Sequence, residues 1–432
     1  MSKMTLIFII YLFQPNLNIA QLQATLNDSI NRYFKEAEMA TANNRQLWSR
    51  NLFGPLLLVQ PATRQVYANY ADTAGVLKKS GNIFTGTLPN EINMANTALN
   101  WNGRRWAMVM LPLPEDDQSR ISLLTHELFH LHQPALGFGS TEANNGHLDR
   151  KDGRVYLRLE LEALKKSLMA SGPEEQERHL FSAFVFKKYR HSLFPGADST
   201  ENMLELNEGL AEYTGFVHST GHIKNIPNYF AKRINSFVKQ GVFVRSFAYE
   251  TVPVYGYLLA RSNRNWNKEI TPGTNLAWYM QKEWNIVLPA TEIKSQALLL
   301  ARRYNGPQVN REEAAKEERK KLIVARYKKR FVTQPHFSIT FEQMNISFNP
   351  GNMIPIEDIG TVYPKMRITD NWGVLTVHDG ALLGANWNKV SLTIPTTFGQ
   401  SQVSGAGWVL ELKNNYTVIK DEASGNYILV KK

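Results

Sequence analysis

Residues 114–134 read PEDDQSRISLLTHELFHLHQP, and their charges, apolar spacing and prolines mark out a single helix with both ends defined. Glu115, Asp116 and Asp117 cluster where the positive end of a helix dipole favours acid. Pro134, which lacks an amide N–H, stops the helix. Just upstream, Trp106-Ala-Met-Val-Met-Leu111 is an apolar run closed by Pro112 and Pro114, which predicts a strand leading into the helix. Residues four apart on a helix share one face, a turn apart. His126 and His130 therefore aim both imidazoles at one spot, with Glu127 beside the first of them.

A His-Glu-x-x-His helix suits a single Zn2+ ion. Zinc lowers the pKa of a water, and Glu127 is placed to take that proton during attack on a carbonyl and pass it to a leaving amine. The chain has no cysteine, which excludes thiolate ligands, disulfides, a cysteine nucleophile and a lipid-bearing cysteine. A third ligand must then be His or a carboxylate. The metzincin pattern needs Gly three and His six residues after the second His; here Gln133 and Leu136 stand there, so that pattern is excluded. His132 points roughly 140° away from the His126/His130 face and is read as structural. Downstream, Leu204-Glu-Leu-Asn-Glu-Gly-Leu-Ala-Glu-Tyr-Thr-Gly215 offers Glu205, Glu208 and Glu212.

Asn207-Glu208-Gly209-Leu210-Ala211 resembles the Asn-Glu-Gly-aromatic-Ala signature around the zinc-binding Glu of the aminopeptidase branch of the gluzincins, the thermolysin-like and alanyl-aminopeptidase-like zinc peptidases. The resemblance implies Glu208 as third ligand, with Glu212 orienting a ligand His through its free ring nitrogen. Tyr249-Glu250-Thr-Val-Pro-Val-Tyr255 is similar to the Tyr-Glu-Lys-Gly segment of the same enzymes, although Thr251-Val252 replaces Lys-Gly. It implies Tyr249 as hydrogen-bond donor to the oxyanion, with Tyr255 as fallback. The likeness covers only these short motifs. Seventy-seven residues separate His130 from Glu208, more than the short connection usual in gluzincins, and they carry helical patterns at 154–169 and 175–194. The Gly-Ala-Met-Glu-Asn segment that grips a substrate amino terminus is missing, so an endopeptidase is favoured over an aminopeptidase. In the zincin arrangement an edge strand lines the cleft, and the strand at 106–111 is expected in that role.

At the N-terminus, Lys3, the apolar run Thr5–Phe13 and Ala20 have the order of a secretory signal spanning residues 1–20. Secreted or periplasmic localisation, with no stable membrane insertion after its removal, is the expectation. Residues 22–52 predict a helix, and Pro55–Gln60 and Gln65–Asn69 two strands around Pro61-Ala-Thr-Arg64. Residues 311–330 predict a strongly charged helix. From Gln334 the chain turns rich in Thr, Val, Ile, Asn and Gly, with turns at Asn349-Pro350-Gly351, Asp379-Gly380 and Ser424-Gly425. The expected fold class is α+β: a zincin-like domain with a helical lobe over 21–333, then a small all-β domain over 334–432.

The net charge of +11 raises the question of nucleic acid. However, the basic run Lys316–Arg330 is interleaved with Glu317 and Glu318 and reads as a solvated face, and no nucleic-acid motif accompanies it. His147 in Asn144-Asn-Gly-His is a further potential ligand, read as part of a turn. Arg154, Arg158 and Glu160 are read as a structural ion-pair network. The function these observations favour is hydrolysis of a peptide or protein substrate. The alternatives are a zinc-binding non-peptidolytic hydrolase or pseudoenzyme, and an envelope-associated binding protein acting through its C-terminal β module.

Overall fold

The computed structural model describes residues 19–139, 143–289, 291–348 and 353–432, with side chains from residue 26 onward. The expected signal segment lies outside the described residues except for Ile19 and Ala20, which open the first helix. The Asn349-Pro350-Gly351 turn also lies outside them. The architecture is α+β: an N-terminal sheet, a central helical region and a C-terminal β-rich region of two sheets. The chain forms two compact units, Met1–Gly306 and Pro307–Lys432.

Helix α1 (Ile19–Asn43) buries Ile30, Phe34 and Ala37, spaced four and three apart, against the sheet. It ends earlier than expected. Asn43 and Asn44 are poor helix formers, and the Asn44 side chain donates to the Ala40 carbonyl at 3.3 Å. The freed Trp48 packs on Phe129, with ring centroids 5.0 Å apart.

The strands are β1 (Leu56–Val59), β2 (Gln65–Ala68), β3 (Lys78–Ser80), β4 (Ile83–Thr87), β5 (Thr97–Trp101) and β6 (Arg104–Met110). They form one sheet in the order β3-β4-β2-β1-β6-β5, with β1 and β6 parallel and β5 antiparallel to β6. The strand leading into the histidine helix, β6, is therefore internal, and the edge strand beside it is β5. This corrects the expectation that residues 106–111 form the edge. Fully buried on both faces, Trp106 to Val109 read as a continuous apolar run, whereas β5 is half exposed and its pattern is weak.

Helix α2 (Asp117–His132) is capped by Asp116, whose carboxylate accepts from the Ser119 amide at 2.8 Å. Leu124, Leu128 and Leu131 bury one face against β1 and β6. Next come α3 (Lys151–Leu168), α4 (Pro173–Leu193), α5 (Ala197–Leu204), a π turn (Glu205–Gly209), α6 (Leu210–Ser219), α7 (Ile226–Gln240), α8 (Ala248–Leu259), α9 (Leu276–Glu283) and α10 (Ile293–Ala301). Two glycines permit the close contacts around α6. A Cβ at Gly215 would stand 2.6 Å from the Ser122 carbonyl oxygen on α2, and one at Gly209 would stand 2.4 Å from Val252 on α8.

In the second unit, α11 (Gly306–Lys328) leads into two sheets of seven and six strands that share one core, with Phe337, Ile339, Trp372, Leu375, Trp408 and Leu410 among its members. Strand Trp408–Leu412 alternates buried and less buried positions, as expected for a sheet with one face in the core. Gly380 and Gly425 sit at the expected turns with φ of 87° and 72°. The charged helix belongs to this unit rather than to the preceding helices, so the structural division falls at 306/307 instead of the expected 333/334. Apolar Tyr327 and Phe331, at its end, pack on Ile356, Val362 and Leu382.

Candidate metal centre

Helices α2 and α6 cross at Gly215, and the π turn before α6 faces the histidine side of α2. That brings Glu208 to His126 and His130 from 78 positions along the chain. Their ligand atoms form a near-equilateral triangle. His126 Nε2 to His130 Nε2 is 3.1 Å, His130 Nε2 to Glu208 Oε2 is 3.3 Å and His126 Nε2 to Glu208 Oε2 is 3.4 Å. A tetrahedral zinc ion with bonds of about 2.0–2.1 Å holds its ligands about 3.3–3.4 Å apart.

Each imidazole is held from behind. His126 Nδ1 lies 3.0 Å from Glu212 Oε2, and His130 Nδ1 lies 2.8 Å from Gln133 Oε1. Both partners are acceptors, so each Nδ1 carries a proton toward them, which leaves each Nε2 as the atom that would turn a lone pair to a metal ion at the common point. The Gln133 amide nitrogen donates to the Asn207 carbonyl at 3.2 Å, which orients its oxygen toward His130. Glu212 is itself fixed by Arg233 of α7, 2.6 Å from Oε1, and Arg233 also pairs with Glu250 at 2.9 Å and donates to the Tyr249 carbonyl at 3.2 Å. This clamp ties α6, α7 and α8 together behind the histidines.

Two nitrogen lone pairs and a carboxylate oxygen converging on one point repel one another unless a cation lies between them, and this donor set fits zinc. A proton competes for the same place. Burial opposes a charged His126, but the carboxylates of Glu208, Glu212 and Glu127 outweigh it and push its pKa up to about 10. Burial also raises Glu208 and Glu212, yet their partners prevail. His126, His130 and Tyr249 hold Glu208 well below the carboxylate range, and Arg233 and His126 lower Glu212 to about 2.

Glu127 is buried, and its Oε2 has no hydrogen-bond partner among the described residues. Burial raises its pKa, with the histidine charges opposing. Tyr249 lies against His126, with ring centroids 5.5 Å apart and planes 15° off parallel, and its hydroxyl donates to Glu208 Oε2. Burial and the neighbouring carboxylates raise its pKa, so it remains a donor at neutral pH. All these groups line one cavity of about 670 Å³ that also takes in Thr97, Ala98 and Arg105 from the β5–β6 edge.

The other residues picked out in the sequence lie elsewhere. His132 points its Nε2 to the Leu52 carbonyl at 3.0 Å. Glu205 pairs with Lys187, and Tyr255 donates to Glu160 at 3.0 Å. His147 sits in a short helical turn, 2.8 Å from Glu201. Glu160 is paired with Arg190 at 2.8 Å and Arg190 with Glu201 at 2.7 Å, forming a buried charge cluster that joins α3, α4 and α5. Arg154 instead donates to the Asp149 carbonyl. Gln133 and Arg233 carry no motif. The one sequence signal for Arg233 is that a buried Glu212 needs a counter-charge. Comparisons of the chain with protein-family models, curated proteins and solved structures found no match, so the roles of these residues are read from their own geometry.

Proposed function

We propose that this protein is a zinc-dependent peptidase in which His126, His130 and Glu208 hold one Zn2+ ion and Glu127 is the general base. The observation that carries this reading is the 3.1–3.4 Å triangle of ligand atoms with the buried Glu127 beside it, its Oε2 without a partner among the described residues. When bound, zinc would polarise a substrate carbonyl and acidify a water. Glu127, with its pKa raised by burial, would act as the base that takes a proton from the attacking water and as the acid that delivers it to the leaving amine. Tyr249 supplies a hydroxyl donor for the developing oxyanion by leaving Glu208. Glu212 and Gln133 keep both imidazoles in the required tautomer. On this reading the Met1–Gly306 unit is a zincin-like catalytic domain that favours endopeptidase action, secreted by means of residues 1–20.

The test is metal content together with cleavage of casein or a peptide library. Purified protein should hold stoichiometric zinc. Glu127→Gln should keep the zinc and lose about 10²–10⁴-fold in kcat. Glu208→Ala should lose zinc while remaining folded. Zinc well below stoichiometric, or equal activity in wild type and Glu127→Gln, would overturn the reading.

A further inference from the structure

The cavity wall facing the histidines is built from β5 and β6, and it carries one cation with no counter-charge. In β6, Ala107 and Val109 pack with Leu124 and Leu128 of α2, whereas Trp106 and Met108 belong to the core on the opposite face. Arg105 shares the parity of Ala107 and so projects on the α2 side. Its cross-strand partner is Asn100, and its side chain lines the same cavity as His126, Glu127 and Glu208. Among the described residues Arg105 makes no ion pair, and its Nε is buried without a hydrogen-bond partner. Arg104 has an unpartnered Nε as well, but it lies over the rings of Tyr70 and Trp106 and does not line the cavity. Arg120 is held by Glu36 and Asp117, and Arg233 by Glu212 and Glu250.

A half-buried guanidinium with an unmet donor is costly, and a planar fork of donors matches a carboxylate. We propose that Arg105 is a specificity-determining residue that selects peptide substrates bearing a carboxylate on the β5–β6 side of the scissile bond. The carboxylate belongs either to an Asp or Glu side chain or to the substrate's own C-terminus. The proposal rests on the peptidase reading for the chemistry at the metal. Recognition by Arg105 can be measured without turnover.

The experiment uses the full-length, zinc-loaded Glu127→Gln protein, with and without Arg105→Gln or Arg105→Lys. It measures dissociation constants for peptides that differ only in Glu against Gln, or in a free C-terminus against an amide. With Arg105 present, the carboxylate-bearing member of one pair should bind about tenfold tighter, with the preference shrinking as salt rises. The Glu/Gln pair reports a side-chain carboxylate, and the acid/amide pair a C-terminal one. Arg105→Gln should bring the ratio close to one and Arg105→Lys should keep part of it. If Arg105→Gln fails to fold, the drop in ratio from wild-type Arg105 to Arg105→Lys decides. Equal affinities with Arg105 intact, a ratio that survives its replacement, or no binding of any acidic peptide would overturn the proposal. Binding that depends on Arg105 in a protein whose wild type cleaves no peptide would defeat the peptidase reading alone.

Discussion

At the scale of single residues, the site depends as much on the groups behind the imidazoles as on the imidazoles themselves. Gln133 both accepts from His130 Nδ1 and is locked by the Asn207 carbonyl. Gln133→Leu keeps the volume and removes the acceptor, freeing the ring to rotate and change tautomer. Zinc affinity, measured by competition with a chromophoric chelator, should fall about 10–100-fold with the fold intact. His218 makes a different prediction. Its Nδ1 donates to the Thr214 carbonyl at 2.8 Å and its Nε2 is buried without a partner. Burial lowers its pKa from 6.5 to about 4. The unfolded chain takes up this proton first, so the stability contributed by neutral His218 is fully present above pH 6.5. It is lost progressively as pH falls from 6.5 to 4, by up to about 3 kcal/mol in all. Urea unfolding midpoints at pH 7, 5.5 and 4 should fall more steeply for wild type than for His218→Phe.

At the scale of elements, Glu208, the proposed third ligand, reaches the histidines because two helices touch through glycine. Gly215 sets α6 against the α2 backbone at Ser122, and Gly209 sets the π turn against α8. Gly215→Val forces these backbones apart. It should cost about 1–3 kcal/mol of stability and weaken zinc binding as Glu208 withdraws, both readable from thermal unfolding with and without added zinc. A surface glycine such as Gly172, which has no neighbour within 4 Å of an added Cβ, serves as the control. The sequence marks these elements unevenly. Helix α2 is legible from its acidic cap, its leucine spacing and Pro134, all local signals. The paired strands β1 and β2 are legible for the same reason. Strands β3, β4 and β5 are not, because short half-exposed strands carry little alternation. The edge position of β5 is a property of the assembled sheet.

At the scale of the whole molecule, the three converging ligand atoms, the clamp behind them and the cavity all lie in the Met1–Gly306 unit. Under the proposed function, removing zinc with a chelator should therefore raise amide hydrogen exchange in α2, the π turn and α6. The C-terminal sheets should stay as protected as before; equal loosening of both units would show that the ion is not confined to this site. Among the described residues, no helix is long and apolar enough to cross a membrane. The positive charge of the chain does not mark a partner by itself. The basic run in α11 is offset by Glu312, Glu313, Glu317 and Glu318, with Lys321 paired to Glu318 at 2.8 Å, and the uncompensated cation at the cavity is a single arginine.

The sequence by itself determined the local part of the site. His126, Glu127 and His130 share one helix, and helical periodicity of 3.6 residues sets their relation whatever surrounds them. It also supplied Glu205, Glu208 and Glu212 as candidates, spaced along one segment. Only the tertiary structure decided among them. Glu208 faces the histidines, Glu212 stands behind His126, and Glu205 turns away to Lys187. That choice depends on a π turn and on helix contacts closed by Gly209 and Gly215, distances between segments that no local pattern encodes. The same holds for Gln133, Arg233 and Arg105. Each is an ordinary polar residue in the sequence, given its place by which buried groups the folded chain leaves in need of a partner.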